Sequence, residues 1–171
     1  ALMKNKGELV ANEPDTYRMN ALKINLERCG VTNVVLTRNR AEQFKGLPFD
    51  RVLLDAPCSG SGLIKGKTQK SKELLQEWNP RYIEKMAYLQ KKMILNAYRL
   101  LNERGILVYS TCSLEPEENE EVVDFLLRET DAELMPIDLP VHAKDKNPLR
   151  IWPQDNNTEG FFVAKIRKDS S

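Results

Sequence analysis

The chain is 171 residues long, with 41% hydrophobic and 30% charged residues, enough for one domain with a core and too few for two of ordinary size. Lysine and arginine number 26 against 25 aspartates and glutamates, a formal charge of +1, so global charge neither argues for nucleic acid nor excludes it, and any basic site has to be local. Cys29, Cys58 and Cys112 form no Cys-x-x-Cys pair and His142 is the sole histidine, which excludes a four-ligand zinc site and a disulfide framework. No apolar run approaches the roughly 20 residues of a membrane span and no signal-peptide pattern opens the chain, so the expected setting is a reducing cytoplasm.

Short apolar strands alternate with longer amphipathic helices, the pattern of an α/β fold with a mostly parallel sheet covered on both faces. Residues 1–7 resemble the tail of a helix, and 7–13 read as a turn feeding a strand that ends on Glu13. A helix is expected from Pro14 to about Cys29, with Tyr17, Ala21, Leu22, Ile24 and Leu26 on its apolar side and Gly30 as its stop. Cys29, at that helix end, reads as core filler. Val31–Thr37 and Arg51–Asp55 are β-branched or aliphatic runs and read as strands. Asn79-Pro80 opens the longest helix, whose apolar positions from Met86 to Leu101 keep the 3.6-residue period. Gly105 begins the strand Ile106–Ser110, and Pro116-Glu117-Glu118 places acids in a helix's first turn, which the helix dipole favours. Ala132–Met135 and Gly160–Ile166 read as closing strands paired antiparallel, with the proline-rich stretch Asp138–Asn157 between them as irregular loop.

Ligands of open parallel sheets bind beyond the carboxyl ends of the strands. Three such ends carry unusual residues here: Asn12-Glu13, Asp55-Ala56-Pro57-Cys58-Ser59-Gly60-Ser61-Gly62, and Tyr109-Ser110-Thr111-Cys112-Ser113. Two cysteines therefore follow different strands and are expected to face one cleft, with a carboxylate three residues before one of them. Each piece alone has a plainer structural reading. A cysteine is usually a small buried hydrophobe, Asp55 is able to cap a turn through its side chain, and Gly60 and Gly62 permit a tight loop. Their coincidence at strand ends is what points to chemistry.

Asp-Ala-Pro-Cys-Ser-Gly-x-Gly, followed about fifty residues later by Tyr-Ser-Thr-Cys-Ser and then Pro-Glu-Glu-Asn-Glu, resembles the S-adenosylmethionine-dependent RNA cytosine-C5 methyltransferases of the NOL1/NOP2/Sun family. Nearly the whole chain takes part, including Arg150-Ile151-Trp152-Pro153 and Gly160–Lys165. DNA cytosine-C5 methyltransferases match less well, since they carry a Pro-Cys nucleophile without the Thr-Cys motif. The resemblance implies a Rossmann-like class I methyltransferase fold over residues 1–171, with an antiparallel hairpin at its carboxyl end and S-adenosylmethionine as cofactor. Its substrate would be RNA, ribosomal or transfer.

The chemistry explains the residue types. C5 of cytosine is a poor nucleophile until a thiolate adds to C6, and cysteine is nucleophilic even when sparsely ionised. An acid near N3 answers the negative charge that the addition creates, and Asp55 is the candidate. Spacing does not say which cysteine attacks. The resemblance implies Cys112 as nucleophile and Cys58 as the residue that assists release. It also implies cofactor contacts from Glu13, Arg18, Asp55 and Pro57, with Glu13 on the ribose hydroxyls. Where the family commonly has an acid near the adenine, this chain has Asn39 and Arg40.

Lys65, Lys67, Lys70 and Lys72 form a short acid-free run after Gly62, placed to meet RNA phosphates. The resemblance favours Lys65, with Lys67 beside it. The family's first motif, a strand and Gly-rich turn, would precede Ala1, so the fold is expected to be incomplete at its amino end and to pair with a preceding segment or a companion chain. No metal and no membrane partner are expected. Two other readings stay open, a non-catalytic RNA-binding or scaffolding remnant and a methyltransferase for another atom. An amino-methyltransferase would carry Asp/Asn-Pro-Pro-aromatic in place of Asp55–Cys58, with no need of Cys112.

Overall fold

Each part of the chain contains one pair of parallel strands. The computed structural model describes residues 2–64, 69, 72–73, 76, 78–141, 143 and 146–169, Asn156 by its backbone alone. Residues 1–44 and 45–171 fold as two compact units.

The first unit is a β-α-β element. Strand β1 (Leu9–Asn12), helix α1 (Thr16–Arg28) and strand β2 (Val34–Thr37) follow in order, and β1 pairs with β2 in parallel from Leu9↔Val34 to Asn12↔Thr37. The helix starts later than its proline suggests because Asp15 is the cap, its carboxylate accepting the Arg18 N–H at 2.9 Å. Its inward stripe is Met19, Leu22 and Leu26, of which Met19 is buried, while Tyr17 and Ile24 are exposed. Cys29 is exposed as well, which corrects its reading as core filler. It caps α1 beyond that stripe, its N–H on Asn25. Residues 2–5 form a turn rather than the end of a helix.

In the second unit the sheet order is β3-β4-β7-β5. Strand β3 (Phe49–Asp55) lies parallel to β4 (Leu101–Thr111), which is joined to it through α2 (Pro80–Arg99). Asn79 caps α2 by accepting the Tyr82 N–H at 2.9 Å, ahead of Pro80 at the first helical position. A 3-10 turn at Pro116–Glu118 precedes α3 (Glu120–Glu129), so the acidic start is a tight turn before the helix proper. Strand β5 (Ala132–Met135) pairs antiparallel with the second half of β7 (Phe161–Lys168), the closing antiparallel pair that the sequence predicts. β7 runs against all its neighbours, and β4 takes its other edge. The described helices include none long and apolar enough to cross a membrane.

Two expectations are corrected here. Helix α2 stops at Arg99 and Leu101 already belongs to β4, because the Leu100 N–H closes the last turn on Asn96. The stretch 138–157 is not wholly irregular, since it holds β6 (Leu149–Ile151), paired with the first half of β7, and a one-turn helix α4 (Pro153–Asn156). Strand β6 forms because Leu149 is buried in the core and its backbone finds an open edge at Phe161–Val163.

The core of this unit lies on the inner stripe of α2, chiefly Ile83, Met86, Ile94 and Ala97, with Val122, Val123 and Leu126 of α3. Leu107 and Tyr109 of β4 and Phe162, Ala164 and Ile166 of β7 complete it. Tyr109 meets Phe162 edge to face at 6.3 Å between ring centres.

Candidate active site

Register places the two cysteine loops at one end of the sheet. Asp55 of β3 stands opposite Ser110 of β4, and the Ser110 hydroxyl donates to Asp55 Oδ1 at 2.8 Å. The Ala56 N–H extends the ladder onto the Ser110 carbonyl. Cys58 lies three residues past Asp55 and Cys112 two past Ser110, so the chains diverge from a common origin and bring the sulfurs to 3.2 Å. That is a hydrogen-bonded thiol pair, far from the ~2.05 Å of a disulfide. Both cysteines are half-buried.

The hydrogen bond with Cys112, burial, and the charge of Cys112 together push the Cys58 thiol far above its ordinary value of 9.0. Either sulfur is able to donate in this contact. Gly60 takes a left-handed backbone, φ 73°, and starts the 3-10 turn Ser61–Leu63, which carries the loop back over β4. The Gly62 N–H then donates to the Cys112 carbonyl at 2.9 Å.

Beneath the thiols lies a buried polar layer that sequence reasoning misses. Glu118 is fully buried. Its Oε1 accepts the Ser59 N–H at 2.9 Å and the Gln90 amide at 3.0 Å, and its Oε2 accepts the hydroxyls of Ser59 at 2.5 Å and Ser113 at 2.6 Å. The buried Asn119 beside it donates to the Ser113 carbonyl and accepts the Thr111 hydroxyl. In the sequence Glu118 is hidden among the acids of 115–121. The available signal is the set of hydroxyls flanking both cysteines, Ser59, Ser61 and Ser113, whose burial demands an acceptor.

In the first unit, Glu13 follows β1 and its Oε1 accepts the Asp15 N–H at 2.8 Å. Arg18 reaches the same oxygen at 3.2 Å. Among the described residues Oε2 has no hydrogen-bond partner. Asn12 binds the Asn39 backbone through both its amide atoms, while Arg40 is exposed. Asp55 and Pro57 are exposed in the second unit. Lys65, Lys67 and Lys70 lie outside the described residues, and Lys72 is exposed. Among the described residues no group of three or more His, Cys, Asp and Glu side chains is placed to hold a metal ion.

A family model described as 16S rRNA methyltransferase RsmB/F matches residues 1–167. The chain belongs to the RsmB/F methyltransferase family. This is the NOL1/NOP2/Sun resemblance seen in the motifs, and the fold is Rossmann-like, as that resemblance implies. The RsmB/F chain is 42% identical over 97% of its length to the tRNA (cytosine(49)-C(5))-methyltransferase of Pyrococcus abyssi and covers 57% of that protein. It is 40% identical over its whole length to ribosomal RNA small subunit methyltransferase F of Aeromonas salmonicida, covering 37% of it. The crystal structure of NSun6 from Pyrococcus horikoshii with SFG superposes with a TM-score of 0.86 at 34% identity, over 99% of this chain and 44% of that one. The chain thus spans between about a third and somewhat over half of these relatives.

Proposed function

We propose that this chain carries the thiol chemistry of an S-adenosylmethionine-dependent RNA cytosine-C5 methyltransferase. The observation that carries the reading is the 3.2 Å contact between Cys58 and Cys112 at the ends of adjacent parallel strands. Family membership supports it, as do the relatives named for tRNA and ribosomal RNA methylation. SFG, an S-adenosylmethionine analogue, supports the cofactor.

In this reading the Cys112 thiol gives up its proton to solvent, its sulfur forms a bond to C6 of cytosine, and the ring's electrons move toward N3 and C5. Asp55, steadied by Ser110, donates to N3 in its acid form. Bound S-adenosylmethionine supplies an electrophilic methyl group to C5. Glu13 accepts the two ribose hydroxyls and Arg18 orients that carboxylate, and Asp55 and Pro57 are further cofactor contacts. After methylation the C5 proton leaves to solvent, N3 returns its proton to the Asp55 carboxylate, the C6–S bond breaks, and its electron pair returns to Cys112. The Cys58 S–H stabilises that departing sulfur by the hydrogen bond already in place, a role suited to a thiol that holds its proton. Lys65 and Lys67 meet RNA phosphates.

The test is a denaturing gel of protein incubated with labelled RNA and cofactor. Cys112→Ser loses both adduct and product, whereas Cys58→Ser accumulates adduct. Normal methylation by both variants would defeat the assignment. A wild-type protein that binds RNA but not S-adenosylmethionine would favour the scaffolding reading.

A further inference from the structure

We infer that Glu118 is a positioning residue of the two-thiol site, its carboxylate tying the Cys58 loop to the Cys112 loop so that the sulfurs stay in contact. Its catalytic consequence rests on the function proposed above. The clamp itself does not.

Four donors converge on this one carboxylate, and they belong to three segments. Ser59 follows Cys58 directly and contributes both its N–H and its hydroxyl. Ser113 follows Cys112 directly and contributes its hydroxyl. Gln90 of α2 contributes one amide hydrogen to Glu118 and another to the Pro57 carbonyl, at 2.8 Å. Each cysteine is therefore one residue from a serine hydroxyl held by the same oxygen, Glu118 Oε2. The far end is anchored too, since the Tyr109 hydroxyl donates to the Glu118 carbonyl at 2.6 Å.

Burying a carboxylate is costly unless it is fully hydrogen-bonded, and an apolar residue would pack the site without that cost. Gln90 shows what the arrangement demands. With both amide hydrogens committed to acceptors, its buried Oε1 is left without a partner among the described residues. A purely structural layer would avoid that orphan. The polar pattern is accounted for by what it holds in place, two backbones whose neighbouring sulfurs have to meet.

Phenylarsine oxide tests the clamp without any methyl transfer. The reagent bridges two close thiols, forming two As–S bonds and releasing one water, and its affinity reports how well the pair is preorganised. Cys58→Ser and Cys112→Ser define single-thiol background. Glu118→Ala is expected to lower affinity for the arsenical at least about tenfold. Glu118→Gln should recover most of it, because its amide oxygen still accepts from Ser59 N–H and Gln90 while its NH2 meets hydroxyls able to turn and accept. Should Glu118→Ala fail to fold, the double variant Ser59→Ala/Ser113→Ala removes only the hydroxyl arms and is expected to lose a smaller factor. Wild-type affinity in a folded Glu118→Ala protein, or in the double variant, overturns the inference. In methylation assays Glu118→Ala should lower kcat with KM for RNA unchanged, and Glu118→Gln should recover most of that loss. If the arsenical affinities behave as expected but the wild-type protein methylates no RNA, the clamp stands and the function proposed above falls.

Discussion

Gly62 and Gly160 stand backbone against backbone, the Gly160 N–H donating to the Gly62 carbonyl at 2.9 Å. A Cβ on Gly62 would lie 2.5 Å from the Gly160 oxygen and 2.8 Å from the Cys112 oxygen, both immovable without shifting main chain. A Cβ on Gly160 would first meet the Leu114 side chain, at 2.6 Å, and then Gly62 Cα at 3.0 Å. Gly62→Ala should therefore destabilise by about 2–3 kcal/mol and Gly160→Ala by less, since a leucine is able to turn aside. Urea unfolding of the two variants decides it, and the reverse order would contradict the packing described.

Tyr109 links stability to alkaline pH. Burial, then the charge of Glu118, push its phenol well above the ordinary 10.0. A raised folded value means the stabilisation is complete below that ordinary value and is lost as pH rises from it toward the folded one. Unfolding midpoints should fall as pH rises above about 10. Tyr109→Phe should lower stability by about 1–2 kcal/mol at pH 7, where it orphans the Glu118 carbonyl, and should decline less steeply above about pH 10. A variant with the wild-type slope would exclude Tyr109 as its source.

On the proposed role of Glu13 at the ribose hydroxyls, Glu13→Ala should weaken S-adenosylmethionine binding by about tenfold or more. Arg18→Ala should cost less, because the Glu13–Arg18 pair is solvent-exposed on the arginine side, and such pairs contribute about 0–1 kcal/mol. Calorimetric titration with the cofactor measures both, and equal losses would argue that Arg18 itself touches the ligand.

Arg150 holds the other side of the Cys112 loop. Its guanidinium forms a two-pronged pair with Glu120, donates to the Leu114 carbonyl at 2.9 Å, and lies over the rings of Trp152 and Phe162. A lysine offers one point charge in place of that fork. Arg150→Lys is expected to lose about 1–3 kcal/mol, with Glu120→Gln and the double variant showing strong coupling. Additive losses in the double-mutant cycle would mean the pair contributes nothing of its own.

What the sequence makes legible follows from how far each signal reaches. Strands β2 to β4 and helix α2 announce themselves because apolar runs and a sustained 3.6-residue period need no partner to be seen. The meeting of Cys58 and Cys112 is legible because both follow strands that end at the same edge of a parallel sheet. Strand β6 is not, because three residues are too few to show alternation and Pro148 and Pro153 flank them; only the edge left open on β7 creates it. Glu118 is unreadable for the opposite reason, an excess of acids around it, and burial alone distinguishes it from Glu117 and Glu121. For α1 the apolar residues are visible, but the face that turns inward runs through Met19, and Tyr17 and Ile24 fall outside it.

The alignment of Asp55 with Ser110 acts as a calliper. One residue of strand advances the chain about 3.3 Å, as much as the whole gap between the sulfurs, and turns every side chain to the opposite face. A slip of a single step along β3 would therefore separate the thiols entirely. Mutations deep in the ladder, far from either cysteine, ought to be felt at the sulfurs in proportion to how much they loosen that alignment.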